Sequence, residues 1–124
     1  MKAAAVLFLT IASLFVLKAG KLVIVESWDN GNPKITKEYF SEDNPESFIF
    51  RSYYETGIME LVFEIRNSQR QGEARCFYPT GQLKYKCVFK NDILDGPMTF
   101  WYPNGALWQK FNFSEGIISD SLNV

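Results

Sequence analysis

Three glycines, Gly57, Gly81 and Gly105, lie 24 residues apart, and aromatic residues precede each of them in step. The segments that end at these glycines read YYETG, FYPTG and WYPNG. A second pair, Gly72 and Gly96, repeats with the same period of 24 residues. A fixed period of this length restricts the chain to an array of one small supersecondary unit, stacked on copies of itself.

Each unit is predicted to be a β-hairpin. Apolar residues recur at alternate positions of 59–65, 83–89 and 107–113, which is typical of half-buried strands. The residues before each glycine form the partner strand. In YPTG and YPNG, proline at the second position and glycine at the fourth predict a type I turn closed by a left-handed glycine, within a three-residue loop.

Two further copies extend the array. Trp28-Asp29-Asn30-Gly31 matches the later turns, and residues 113–120 begin a fifth unit that is not completed. We therefore predict an all-β fold over residues 21–124: an elongated single-layer antiparallel sheet of about four stacked β-hairpin repeats. The predicted units span residues 22–47, 48–71, 72–95 and 96–120.

The first twenty residues differ in kind from the repeats. Lys2 precedes an apolar run over residues 3–17, and small residues follow Lys18. As a helix, the run is about 22 Å long and short of a hydrocarbon core of about 30 Å. It predicts an N-terminal apolar helix that acts as a signal peptide, with export to the periplasm or medium. Because Leu17 or Lys18 would lie three residues before the cut, a short uncleaved membrane anchor is the alternative.

The residues of the unit resemble the variant MORN (membrane occupation and recognition nexus) repeat. Leu94-Asp95-Gly96-Pro97-Met98 and Trp101-Tyr102-Pro103-Asn104-Gly105 lie close to the family pattern. Residues 48–120 carry the resemblance well and residues 22–40 carry it weakly. Two positions depart from the pattern: Gln71 replaces the acidic residue before Gly72, and Phe48 replaces the glycine of the second unit.

The resemblance implies a sheet of stacked hairpins that acts as a scaffold or binds proteins or lipids. Bacterial members of the family are common, and some are labelled antitoxin-like by their genomic setting, which gives an antitoxin or immunity role as an alternative. The family supplies no catalytic residue to carry over. The resemblance therefore predicts a fold more strongly than a function.

Composition argues against catalysis. The chain has no histidine, so neither a Ser-His nor a Cys-His pair can form, and zinc would need two cysteines with carboxylates. Glu60, Glu64 and Glu73 fall at strand positions that the repeat predicts to be solvated. We expect no enzyme activity, no cofactor and no metal.

Without residues 1–20 the chain has 11 basic and 14 acidic residues, which is a net charge of −3. This charge gives no reason to expect nucleic acid as a partner.

Cys76 and Cys87 are the two cysteines. Centring the turn on Thr80 places Cys76 opposite Lys84 and Cys87 opposite Glu73, which puts the two thiols on opposite faces. We therefore favour two free, buried cysteines over a disulfide. A shift of one residue in register would instead place them diagonally on one face, so a disulfide stays the alternative.

Aromatic residues form a column through the array, which is either a spine between hairpins or a binding surface. The candidate partner-binding face consists of Trp28, Tyr54, Tyr78, Trp101, Tyr102 and Trp108. A second candidate surface is a basic patch that would meet an acidic protein or lipid headgroups, unless it is simply a solvated face. Its residues are Arg66, Arg70, Arg75, Lys84, Lys86 and Lys90. The predicted partner is a protein, with membrane lipid as the alternative; oligomeric state does not follow from the sequence.

Overall fold

Ten antiparallel strands form one open sheet in the computed structural model, which describes residues 20–123. The strands are β1 Lys21–Ser27, β2 Pro33–Tyr39, β3 Phe48–Tyr53, β4 Met59–Arg66, β5 Gln69–Phe77, β6 Leu83–Lys90, β7 Ile93–Leu94, β8 Gly96–Trp101, β9 Leu107–Ser114 and β10 Ile117–Asn123. They follow one another in chain order across the sheet, and the short β7 pairs with β6 ahead of β8. The predicted all-β single-layer fold is confirmed. The predicted N-terminal helix lies outside the described residues.

The predicted hairpin loops are confirmed in detail. Gly81 has φ +89°, and its amide donates a hydrogen bond of 2.8 Å to the carbonyl of Tyr78. The Tyr78 amide in turn donates to the Gln82 carbonyl at 2.8 Å, which closes a three-residue loop. The loop at Gly31 has the same bonds, with φ +88°, so the weak first copy is a complete hairpin.

Every one of these hairpins carries an extra residue just after its loop. The strand register skips Lys34, Glu60, Lys84 and Trp108, at equivalent points of the four units. This is a β-bulge, in which two residues of one strand oppose one residue of its partner. We call these four positions the bulge positions.

The bulge corrects the predicted pairing of the cysteines. Cys76 lies opposite Tyr85, and Cys87 lies opposite Ala74. The prediction that the two thiols point to opposite faces is wrong, because it counted across the loop without the bulge residue Lys84. They are diagonal neighbours on one face, and both are buried and free.

The apolar side of the sheet is the face of these cysteines, which we call the cysteine face. Ala74, Cys76 and Cys87 are the buried apolar residues of the described chain, with 3%, 9% and 3% of their surface exposed. Aromatic rings flank them on neighbouring strands, as in the stacked pair Phe50 and Phe63, whose centroids are 4.7 Å apart. Large side chains remain partly exposed because a single layer of strands has nothing to cover either face.

Tight turns join successive units at the opposite end of the strands. Asn91 and Asp92 have φ of +49° and +70°, which is the signature of a type I′ turn. The Asp92 amide donates a hydrogen bond of 3.0 Å to the Arg70 carbonyl, which joins this turn to the preceding one. The equivalent bonds join Ser68 to Glu46 at 2.9 Å and Gly116 to Leu94 at 2.8 Å.

These turns explain why the repeat tolerates Gln71 in place of the acidic residue of the family pattern. The first amide of each turn donates to the side chain that stands just before the repeat glycine position. The three bonds run from Asn67 to Ser47 Oγ at 2.9 Å, from Asn91 to Gln71 Oε1 at 3.1 Å and from Glu115 to Asp95 Oδ1 at 3.3 Å. An acceptor oxygen is what the position needs, and serine, glutamine and aspartate each provide one.

Candidate functional site

The aromatic column forms a hydrogen-bonded ladder between units. Its members, Trp28, Tyr54, Tyr78 and Tyr102, are the aromatic ladder. The first three each donate to a backbone carbonyl of the next hairpin: Trp28 Nε1 to Tyr53 at 3.0 Å, Tyr54 Oη to Phe77 at 2.7 Å and Tyr78 Oη to Trp101 at 2.8 Å. These three rings therefore belong to the interfaces that hold the array together.

The ladder ends at Tyr102. Its hydroxyl has no hydrogen-bond acceptor among residues 20–123, and 45% of the residue is exposed. The ring packs instead on Trp108, with centroids 5.6 Å apart, and Trp108 is itself 49% exposed. We call Tyr102 and Trp108 the terminal aromatic pair. Leu107 is also exposed beside this pair, whereas Ile117 and Ile118 are exposed at the other end of the last strands.

Trp108 occupies a bulge position, and this makes the last hairpin unlike the others. In the first and third units the bulge residue is a lysine whose ammonium lies near the ladder ring. Lys34 Nζ is 4.5 Å from the centroid of Trp28, and Lys84 Nζ is 5.5 Å from that of Tyr78. In the last unit, Trp108 stands where these units have a lysine. A position that is charged in the first and third units is therefore an exposed apolar surface in the last.

The structure separates one member of the candidate partner-binding face from the rest. Trp101 follows Phe100 in β8, so its side chain lies on the face opposite to the cysteine face. The ammonium of Lys86, on the same side, is 5.9 Å from the centroid of the Trp101 ring. The other five residues lie at the loop ends of the strands, as four ladder rings and the neighbouring Trp108.

The six residues of the basic patch are likewise divided. Arg66, Arg70 and Lys90 lie beside the type I′ turns, whereas Lys84 lies beside a proline loop at the other end of the strands. Arg66 is paired with Glu64, and Arg70 Nε is 2.6 Å from Asp92 Oδ1. Hydrogen bonds from the side chain and the backbone of Arg70 lower the pKa of the Asp92 carboxyl.

Arg75 and Lys86 lie together on the face opposite to the cysteine face, which we call the charged face. They are directly opposite each other in β5 and β6. The same line of register continues across neighbouring strands, as Arg51, Val62, Arg75, Lys86, Thr99 and Lys110. We call its four cations, Arg51, Arg75, Lys86 and Lys110, the basic row.

Lys110 is the member of the basic row that the candidate patch lacks. It follows Lys86 by 24 residues, so the repeat period alone could have found it. Arg51 is bonded to Glu38 at 2.7 Å, and Arg75 is paired with Glu73. Among the side chains of residues 20–119, no carboxylate oxygen lies within 4.0 Å of Lys86 or Lys110.

The three glutamates considered as catalytic candidates make structural contacts, and the two thiols are buried. Glu60 accepts a bond of 3.4 Å from Ser52 Oγ, while Glu64 and Glu73 are paired with arginines. Burial raises the pKa of both Cys76 and Cys87, which disfavours their thiolates. Over residues 20–123, no three His, Cys, Asp or Glu side chains lie close enough to hold a metal ion, and no helix is long and apolar enough to cross a membrane.

The comparisons with known proteins agree with the repeat geometry. The MORN repeat variant family matches residues 70–91 and 94–115, which run from the start of β5 to just past β9. No curated protein matches the sequence. MORN repeats form non-catalytic modules. Residues 70–115 therefore contain two repeats of the MORN variant type, and equivalent hairpins continue the same sheet on either side of them.

Proposed function

We propose that this protein is an interaction module that binds a protein partner through the terminal aromatic pair. MORN repeats are generally associated with protein or membrane-lipid interaction. The observation that carries the proposal is the exposure of Tyr102 and Trp108, at 45% and 49%, at the point where the ladder stops. Tyrosine and tryptophan are the residues that most often dominate the binding energy of protein interfaces.

The pair offers a partner both apolar surface and a hydrogen-bond donor. Covering about 100 Å² of each ring would contribute about 2.5 kcal/mol per ring, at about 25 cal/mol per Å². Tyr102 Oη would donate to a backbone carbonyl, as Tyr54 and Tyr78 do within the array. β10 forms the edge of the sheet beside the pair, and an edge strand can accept a further strand from a partner.

The repeat supplies the variant that tests this proposal. Trp108→Lys installs the residue that the preceding unit carries at the equivalent position, Lys84, so the hairpin should fold normally. The control is Ile93→Lys, which changes an exposed apolar residue at an internal point of the sheet; Ile93 is 50% exposed. Both variants should first be shown to melt like the parent protein.

The experiment is co-purification from the native host, followed by binding measurements with each purified partner. We expect Trp108→Lys to weaken binding by at least about tenfold, which is about 1.4 kcal/mol. Ile93→Lys should bind as the parent does. Equal binding by all three proteins would show that the terminal aromatic pair is not the contact surface.

We further propose that the module acts outside the cytoplasm, either released or held at the membrane by its N-terminal segment. The apolar run over residues 3–17 and its basic start support this proposal. Fusing residues 1–20 to a reporter that is active only after export tests it. The intact mass of the exported protein then distinguishes a cleaved signal peptide from a retained anchor. A reporter that stays inactive would count against export.

A further inference from the structure

We infer that the basic row on the charged face is a second binding surface, which takes an acidic polypeptide segment. It is separate from the terminal aromatic pair, whose rings Tyr102 and Trp108 adjoin Phe100 on the cysteine face. The inference therefore does not depend on the proposed function of that pair.

The fold itself does not require cations in this row. Arg75 and Lys86 are directly opposite each other, an arrangement of like charges that destabilises a pair of strands. Val62 occupies the equivalent place one period before Lys86, so an apolar residue is compatible with the backbone there. Lys110 repeats the cation one unit later. Glu73 is paired with Arg75 and the Trp101 ring lies near Lys86, but neither contact accounts for a cation that is repeated at Lys110, and the repetition points to a ligand of opposite charge.

Two members of the row are available to such a ligand. Lys86 and Lys110 flank Thr99, which is only 5% exposed beneath them. Neighbouring strands lie about 4.8 Å apart, so the two lysines are separated by about 10 Å across the sheet. A segment in the polyproline II conformation has three residues per turn and rises about 3.1 Å per residue, so carboxylates three residues apart lie on one side of it and are separated by about 9 Å, which matches the spacing of the lysines. The ligand is thus an extended segment that crosses the strands and presents acidic residues at every third position.

The surroundings of the row favour a narrow ligand over a broad anionic surface. Glu38 and Glu73 accompany Arg51 and Arg75 on the charged face. A membrane surface would bring its negative charges against these carboxylates as well as against the lysines. A single polypeptide segment is narrow enough to place its carboxylates at Lys86 and Lys110, where no such glutamate is paired.

The test uses a labelled Gly-Ser peptide with glutamate at every third position, and fluorescence anisotropy at low salt. We expect Lys86→Glu and Lys110→Glu each to weaken binding by about tenfold or more, because each turns an attraction into a repulsion. Lys84→Glu and Lys90→Glu are the matched controls. Both lysines lie on β6 with Lys86 and undergo the same change of charge, but they lie outside the row. They should bind the peptide within about twofold of the parent.

Three results would overturn the inference. Equal losses in the Lys84 and Lys90 variants would mean that net charge alone governs binding. Binding of phosphatidylserine vesicles that depends on Lys86 and Lys110, without peptide binding, would assign the row to membranes. Loss of peptide binding in Trp108→Lys would show that the two surfaces are not separate. Thermal melts of every variant confirm that each loss is one of binding and not of folding.

Discussion

Replacing Tyr78 with phenylalanine removes one of the hydrogen bonds of the aromatic ladder. The hydroxyl donates to the carbonyl oxygen of Trp101 at 2.8 Å, across the junction between the third and fourth units. A hydrogen bond of this kind contributes about 0.5–1.5 kcal/mol net, and leaving a partly buried carbonyl without its donor adds to the loss. Because phenylalanine keeps the ring and its packing, we expect Tyr78→Phe to lower the free energy of unfolding by about 1–2 kcal/mol.

Tyr102 provides the matched control for this prediction. It occupies the same position of the repeat, but its hydroxyl has no acceptor within residues 20–123. Tyr102→Phe should therefore change the free energy of unfolding by less than about 0.5 kcal/mol. Tyr54→Phe removes a second internal rung of 2.7 Å and should behave as Tyr78→Phe does.

Urea unfolding followed by far-ultraviolet circular dichroism measures all three variants against the parent. The slope of the transition should stay constant while its midpoint falls for the two internal variants. A loss of 1 kcal/mol corresponds to a fall in Tm of about 4 °C or more for a domain of this size. If Tyr102→Phe destabilises as much as Tyr78→Phe, or if neither internal variant differs from the parent, the ladder does not hold the units together.

Four other outcomes are expected. Burial beside Cys76 raises the pKa of Tyr85 from 10.0 to about 12, so folding favours the neutral phenol. The stability that this gives the fold is complete below pH 10 and is lost as the pH rises towards 12. Tyr85→Phe should therefore raise the midpoint of alkaline unfolding measured by circular dichroism. Gly81→Ala should lower stability by about 1–2 kcal/mol in urea melts, because φ of +89° strains an alanine although its methyl would meet no close neighbour. Asp95→Ala should cost about 1 kcal/mol by removing the acceptor for the next turn, whereas Asp95→Asn should retain most of that stability. Cys76 and Cys87 should react with a thiol reagent only after denaturant is added, and intact mass should show two free thiols after mild oxidation.

Each of these expectations has a contrary result. An unchanged alkaline midpoint in Tyr85→Phe would mean that the phenol is not held neutral by the fold. A neutral Gly81→Ala would show that the loop can change its geometry. Equal losses in the two Asp95 variants would assign the effect to the charge of the side chain and not to its acceptor oxygen. Rapid labelling of the native protein would contradict the burial of the thiols, and a mass lower by two hydrogen atoms would show that the two diagonal cysteines form a disulfide.

Much of the fold follows from local chemistry. Glycine and proline at fixed points of a 24-residue period predict the loops, because such turns depend on a few neighbouring residues and their allowed φ. The weak copy at Gly31 folds as predicted for the same reason. The pairing of Cys76 with Tyr85 was not predicted, because the bulge at Lys84 becomes visible only when two strands are paired.

The candidate surfaces illustrate the same division. The six basic residues between Arg66 and Lys90 are close in sequence, yet strand alternation and strand ends distribute them over separate surfaces. Lys86 and Lys110 are distant in sequence and are brought into one row by the register of β6, β8 and β9. Proximity along the chain was a poor guide to a surface patch, whereas equivalence in the repeat was a better one.

The sequence by itself determined the period, the hairpin and the left-handed glycine of each loop, because these depend on interactions within a few residues. Only the tertiary structure decided which rings are rungs of the ladder and which are exposed. Tyr78 and Tyr102 occupy the same place in the repeat, and they differ because the hairpin after Tyr78 supplies a carbonyl acceptor for its hydroxyl. That difference lies in the neighbouring unit and not in the residue, so no local pattern could reveal it.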